Sequence, residues 1–254
     1  MAIGWNPLQN TDNKPYIYPF VMQKNVRKYL IALLGALWVS MSVQAVDFDT
    51  DWAQFGRYAK ANAELTENPD VVFMGNSITD FWVWKMPEFW EAHPRFVDRG
   101  ISGQTTCEML VRFRQDVIDL HPKVVVILAG INDIAHNNGA ISLEHVMGNI
   151  QSMIELARLN KIKVAVCSVL PCDRFAWQEK VKPAPLVRRL NDMIKAYVET
   201  RRDKNVIYVD YYTAMANENG GLPANLSTDG CHPDPAGYQI MQTIITQALH
   251  PWVK

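Results

Sequence analysis

The sequence predicts an α/β fold, a three-layer α/β/α sandwich around a five-stranded parallel sheet. Three observations predict it. Five short apolar segments, rich in β-branched residues, follow one another between residues 71 and 210. Amphipathic stretches at helical spacing separate them. The strongest apolar segment lacks the polar alternation of a half-exposed sheet, as expected for strands covered on both faces. Strands that alternate with helices pair in parallel through right-handed crossovers, and ligands then sit at the carboxyl ends of the strands.

The elements follow in order. Residues 51–66 read as a helix ahead of the first strand, Val71–Gly75. Residues 95–100 (RFVDRG) make a weaker second strand. Residues 124–130 (VVVILAG) are the strongest, 163–170 (KVAVCSVL) the fourth and 206–210 (VIYVD) the fifth. Between them, residues 104–118 place Met109, Phe113 and Val117 four apart. Residues 142–159 open on Ser142, a helix N-cap, followed by the stripe Val146, Ile150, Met153 and Ile154. Residues 184–200 carry Leu186, Leu190, Ile194 and Val198. A last helix opens after Pro235, its stripe running through Ile240, Ile244 and Ala248 and widened by Met241, Ile245 and Leu249. There is no internal repeat or low-complexity linker, so one domain spans 46–254.

The N-terminal stretch reads differently. Lys24, Arg27 and Lys28 precede an apolar run from Tyr29 to Met41, and Val43-Gln44-Ala45 is a small-x-small cleavage site. That is the pattern of a secretory signal peptide, shorter than the roughly 20 apolar residues of a membrane span. Residues 1–45 are therefore an N-terminal extension plus signal peptide, with Met22 the expected true start. The mature protein is expected outside the cytoplasm, secreted or periplasmic, with no membrane span after cleavage. The 254 residues carry 25 basic and 26 acidic side chains, a net charge of −1, which leaves no basic footprint for nucleic acid.

Each strand end carries a polar signature. Gly75-Asn76-Ser77-Ile78 follows the first strand, Arg99-Gly100-Ile101-Ser102-Gly103 the second and Gly130-Ile131-Asn132-Asp133 the third. Asp229-Gly230-Cys231-His232 precedes the last helix. The topology brings these blocks to one edge of the sheet. A serine needs a base to act as a nucleophile at neutral pH, histidine is the usual one, and a carboxylate fixes its tautomer. A tetrahedral intermediate needs donors for its oxyanion. The G-x-S-x-G pattern is absent, because Thr79 stands where the last glycine would be; that argues against an α/β-hydrolase.

These four blocks, in this order, resemble the SGNH or GDSL family of esterases and lipases, and the resemblance covers 68–250. The family's Gly-Asp-Ser-Leu is Gly75-Asn76-Ser77-Ile78 here, with Asn76 in place of the aspartate. The stretches around Arg99–Thr106 and Asp229–Pro233 look most like the branch related to platelet-activating-factor acetylhydrolase and bacterial carbohydrate acetylesterases. The resemblance implies a flavodoxin-like SGNH hydrolase fold, Ser77 as nucleophile, His232 as base and Asp229 as its carboxylate. The oxyanion hole would comprise the backbone N–H groups of Ser77 and Gly103 and the side-chain amide of Asn132. A Cβ at position 103 is expected to obstruct close approach of the backbone. The expected function is a secreted serine esterase taking short acyl groups, acetyl foremost, from a glycan or small-molecule ester. A transacylase on the same triad and a non-catalytic carbohydrate-binding protein are the alternatives.

No cofactor is expected. Cys167, Cys172, Cys231 and His232 are spaced too loosely for a typical zinc site, so no metal is expected either. Trp82, Trp84 and Trp177 are candidates to line the substrate pocket, with Phe81 beside them. Cys172 and Cys231 fall in loops on the same rim, and an exported protein permits a disulfide between them that pins the Asp229–His232 loop beside Ser77. Cys107 and Cys167 read as buried small apolar residues.

Overall fold

The computed structural model describes residues 51–253; the extension, the Met22 start and the signal peptide at 1–45 lie outside the described residues. Five parallel strands form one sheet: β1 (Val71–Gly75), β2 (Phe96–Gly100), β3 (Val124–Leu128), β4 (Lys163–Cys167) and β5 (Val206–Val209). Their order is β2-β1-β3-β4-β5. Every residue of β1 and β3 is buried, which is why those segments read as continuous apolar runs.

The helices cover both faces. α1 (Gly56–Ala63) precedes the sheet, and α2 (Ser77–Lys85) and α3 (Pro87–Glu91) link β1 to β2. α4 (Thr106–Asp116) links β2 to β3. After β3 come the short α5 (Ile131–Ile134) and the long α6 (Leu143–Leu159). α7 (Pro183–Arg201) joins β4 to β5, and α8 (Tyr212–Met215) and α9 (Pro235–Leu249) complete the chain. α4, α6 and α7 pack in sequence along one face, while α9 packs on α2 across the other. Among the described residues no helix is long and apolar enough to cross a membrane.

The expected stripes are largely those that fill the core. Met109, Phe113, Val117, Val146, Met153 and Ile154 are all fully buried. Ser142 caps α6, its Oγ accepting the His145 N–H. Two stripes are rotated from expectation. In α9, Tyr238, Met241, Ile245 and Leu249 face the core, while Ile240, Ile244 and Ala248 pack only at its margin. In α7, Val187 takes the buried place that the spacing gave to Leu186. Both helices are apolar over more than one face, so several stripes fit and only packing selects one. The fourth strand also stops at Cys167, short of the expected 170.

The sheet order places the candidate site. β1 lies between β2 and β3, and Gly75 is level with Gly100 on one side and Leu128 on the other. The chain leaves β1 toward one edge and β3 toward the other. That divergence opens a crevice at the carboxyl ends of β1 and β3, the usual ligand position in such sheets. Ser77 begins α2 there, two residues past the end of β1.

Candidate active site

Ser77 is the first residue of α2, and Asn76 caps the helix by accepting the Ile78 N–H on its side-chain oxygen at 3.0 Å. A carboxamide does here what an aspartate would, since both are strong N-caps. Gly75 is required by the next turn of the helix: a Cβ there would lie 2.0 Å from the Thr79 hydroxyl. The residue that breaks the G-x-S-x-G pattern thus packs onto the strand end below the serine.

The last helix brings the histidine to the serine. Tyr238 of α9 donates from its hydroxyl to the Ile78 carbonyl at 2.7 Å, and Lys85 of α2 pairs with Asp234 at 3.2 Å. His232 Nε2 then lies 2.9 Å from Ser77 Oγ, and its Nδ1 lies 2.7 Å from Asp229 Oδ2. A carboxylate at Nδ1 fixes the proton there, which leaves the Nε2 lone pair to accept the serine O–H. The turn is internally braced. Asp229 Oδ1 accepts the N–H groups of Cys231 and His232 at 2.8 and 2.7 Å. Ser227 Oγ accepts the Gly230 N–H and donates to the His232 carbonyl at 2.7 Å. Burial pushes the Asp229 carboxyl up, but the hydrogen bonds from His232 and Cys231 outweigh it and hold it at about 2.

The ends of the two strands that flank β1 carry Gly103 and Asn132. Gly103 has φ +83°, a conformation that favours glycine. A Cβ there would meet nothing within 4 Å, so the expected steric conflict with the protein is absent and the left-handed backbone is the requirement. Asn132 donates one amide hydrogen to the Gln104 carbonyl at 3.0 Å, which orients the side chain and leaves its second hydrogen uncommitted among the described contacts. Asp133 accepts the N–H of Thr106 at 3.0 Å and its hydroxyl at 2.6 Å, tying the third block to the start of α4. Asp80, one turn beyond Ser77, accepts from the Ser102 hydroxyl at 2.7 Å.

Of the expected pocket residues, Trp82 does not reach the site. It is 1% exposed, stacks on Phe89 and makes an edge-to-face pair with Phe73. The helix explains the difference: in α2 positions 81 and 84 share a face, while 82 turns into the core. Trp84 is 63% exposed and packs on Phe81, whose ring centroid is 5.2 Å from both Trp84 and His232. Trp177, 50% exposed, lies 6.5 Å from the His232 ring. Its indole N–H donates to Asn137 Oδ1, and the Asn137 amide donates to the Gly103 carbonyl. Asn137 was not legible in advance as a neighbour of the oxyanion block.

The expected disulfide is not formed. Cys172 and Cys231 are both free thiols, and both are buried. The Cys172 S–H donates to the Arg174 carbonyl at 3.2 Å, so it is committed within its own loop. The neighbouring Cys172 thiol and burial together push the Cys231 thiol well above its ordinary value. The topology therefore brings the two cysteines together as thiols. Cys107, read as buried, is exposed and accepts from the Asn149 amide; Cys167 is buried as expected.

A serine, a histidine and an aspartate thus stand in line at a strand-end crevice. The family model described as the GDSL-like lipase/acylhydrolase family matches residues 73–240, and the chain belongs to that family. A GDSL-like lipase of Bacteroides thetaiotaomicron has a solved structure with a TM-score of 0.75 and 44% identity, covering 79% of this chain and 99% of that one. An acetylxylan esterase of Geobacillus stearothermophilus is 26% identical over 164 residues, 63% of this chain and 74% of the relative. The structure of a catalytic mutant of an acetylxylan esterase from the same organism, 21% identical, shares the fold with a TM-score of 0.58, over 75% of this chain and 98% of that one. The protein is a carboxylic ester hydrolase, and its substrates are esters.

Proposed function

We propose that the protein is an exported serine esterase that removes short acyl groups, acetyl foremost, from carbohydrate esters. The observation that carries the reading is the relay from Ser77 Oγ through His232 to Asp229, at 2.9 and 2.7 Å. Ser77 attacks the ester carbonyl as His232 Nε2 takes its proton. The N–H groups of Ser77 and Gly103 and the Asn132 amide receive the oxyanion. His232 passes the proton to the leaving alcohol, and water then cleaves the acyl-enzyme by the same steps. Asp229, ionised above about pH 2, holds the tautomer and balances the imidazolium.

Trp84 and Trp177 support a sugar substrate. The exposed Trp177 indole lies 6.5 Å from the His232 ring, the exposed Trp84 packs on Phe81 beside that ring, and a flat aromatic face is a surface on which a sugar ring packs. A relative described as an acetylxylan esterase points the same way. The test is a series of p-nitrophenyl esters from acetyl to octanoyl, followed by acetylated xylo-oligosaccharides. The acetyl ester should be cleaved fastest, and a rate that rises with chain length overturns the short-acyl reading. Trp177→Ala should raise KM for the oligosaccharide severalfold and leave p-nitrophenyl acetate hydrolysis near the wild-type rate. Export predicts a mature N-terminus near Val46; a mature protein retaining Lys24 contradicts it.

A further inference from the structure

Arg112 is a charged side chain with no exposure at all, in a helix whose neighbouring residues Met109 and Phe113 are core. Its guanidinium makes four hydrogen bonds. Nε donates to Gln104 Oε1 at 2.6 Å and Nη1 to Asp116 Oδ2 at 3.0 Å. Nη2 donates to the Gly75 carbonyl at 3.1 Å and to the Arg99 carbonyl at 2.9 Å.

Those partners share a location. Gly75 is the end of β1, two residues before Ser77. Arg99 lies at the end of β2, where the chain turns into the loop that carries Gly103. Gln104 follows Gly103, and its carbonyl receives the Asn132 amide. The other end of the Gln104 side chain donates to the Ala53 carbonyl at 2.8 Å, so that side chain is held at both ends. One rigid fork thus touches the strand end two residues before Ser77 and the side chain of Gln104, which follows Gly103 and whose carbonyl receives the Asn132 amide.

Stability alone does not explain the arrangement. Desolvation cancels much of the attraction in a buried ion pair, and well-packed apolar residues often do as well or better. What an apolar pair cannot do is hold two strand-end carbonyls and a loop amide in one plane; a planar guanidinium can, and an ammonium cannot.

We infer that Arg112 is a positioning residue that sets the oxyanion hole by fixing the Ser77 turn and the Gly103–Gln104 loop relative to each other. The inference rests on the Ser77 reading above. Donors aimed in advance at the developing oxyanion cost no reorganisation during the reaction, so their misplacement appears in the chemical step. Ground-state binding, governed by other contacts, stays nearly unchanged.

The test is Arg112→Lys, assayed with p-nitrophenyl acetate per active site titrated with a fluorophosphonate. The expected result is a fall in kcat of about 10²-fold with KM within about threefold of wild type. The affinity of a trifluoromethyl ketone, which forms a tetrahedral adduct on the serine, should weaken in step with kcat/KM. The pH profile should stay in place, because His232 and Asp229 are untouched. A folded variant that keeps wild-type kcat per titrated site overturns the inference. If Arg112→Lys does not fold, Gln104→Leu takes its place: it deletes the Nε acceptor and spares the Gln104 carbonyl. There a wild-type kcat overturns the inference and a loss of about tenfold or more supports it. A wild-type Ser77 that the fluorophosphonate fails to label would instead sink the underlying reading.

Discussion

The two walls of the site are built by opposite means. The turn carrying Asp229 and His232 is braced mainly by itself: each hydrogen bond within 227–232 joins residues at most five apart. The Gly103 loop is braced from outside, by Asp80, Asn132 and Asn137, which are distant in sequence, and by Arg112 of the helix that follows it. The turn is partly open to solvent, with the His232 side chain 23% exposed, whereas Gln104, Arg112 and Asn132 are buried. In the proposed mechanism His232 must move protons and admit water, and it sits on an accessible turn. The proposed oxyanion donors Gly103 and Asn132 must hold still, and their loop rests on an interior network.

The largest expected effect separates the walls at their centres. Asp229→Asn keeps the size of the side chain but removes the charge that holds the His232 tautomer, and kcat should fall about 10³–10⁴-fold. Asn132→Ala should cost about 10²–10³-fold, as expected for the loss of one oxyanion donor. Steady-state kinetics on p-nitrophenyl acetate measures both. A smaller loss for Asp229→Asn than for Asn132→Ala would reverse the account of which wall bears the greater burden.

That contrast also governs what could be read in advance. Asp229-x-x-His232 is a local pattern, so spacing alone indicated that one turn presents both side chains. The strand–helix order and the identity of β1 to β5 were equally legible, because burial on both faces writes itself into continuous apolar runs. Arg112 was not. Its position, three residues after Met109 and four before Asp116, lies on the buried face of α4, and a charged residue on a buried stripe was the available signal. Its partners at Gly75, Arg99 and Gln104 depend on packing between elements, which no local spacing encodes. Trp82 failed for a related reason: proximity to Ser77 in sequence suggested the pocket, but the helix turns position 82 away. The cysteine pair met as thiols because topology sets neighbourhood and leaves the redox state open.

pH sharpens the comparison. Burial pushes the Asp98 carboxyl on β2 up to about 7, against hydrogen bonds from the Gly100 N–H and Tyr58 that lower it. The folded state then holds this proton more tightly than the unfolded chain, so the contribution to stability falls as pH rises from about 4 to about 7. Asp229 is displaced the other way, to about 2, so its contribution is complete above about pH 4 and is lost only as pH falls toward 2. Asp98→Asn should therefore flatten the decline between about pH 4 and about pH 7 in urea unfolding, gaining roughly 1–2 kcal/mol at the alkaline end. An unchanged slope would remove Asp98 from the account.

The smallest expected effect lies where the Gly103 loop enters α4. Thr105 and Glu108 form a capping box, with the Thr105 N–H donating to Glu108 Oε2 at 2.7 Å. Thr105→Ala should cost about 1 kcal/mol of stability and only a modest part of kcat. A large kinetic loss at unchanged stability would show that the cap also aims the loop.

The central claim is that Ser77 is the nucleophile of this wall-and-turn arrangement. Peptide mapping by mass spectrometry after reaction with a fluorophosphonate tests it most directly. The account predicts one adduct, on Ser77, and a Ser77→Ala protein that folds, takes no label and loses p-nitrophenyl acetate hydrolysis by several orders of magnitude. An adduct on another residue, or a Ser77→Ala protein that still turns over at the wild-type rate, would contradict it.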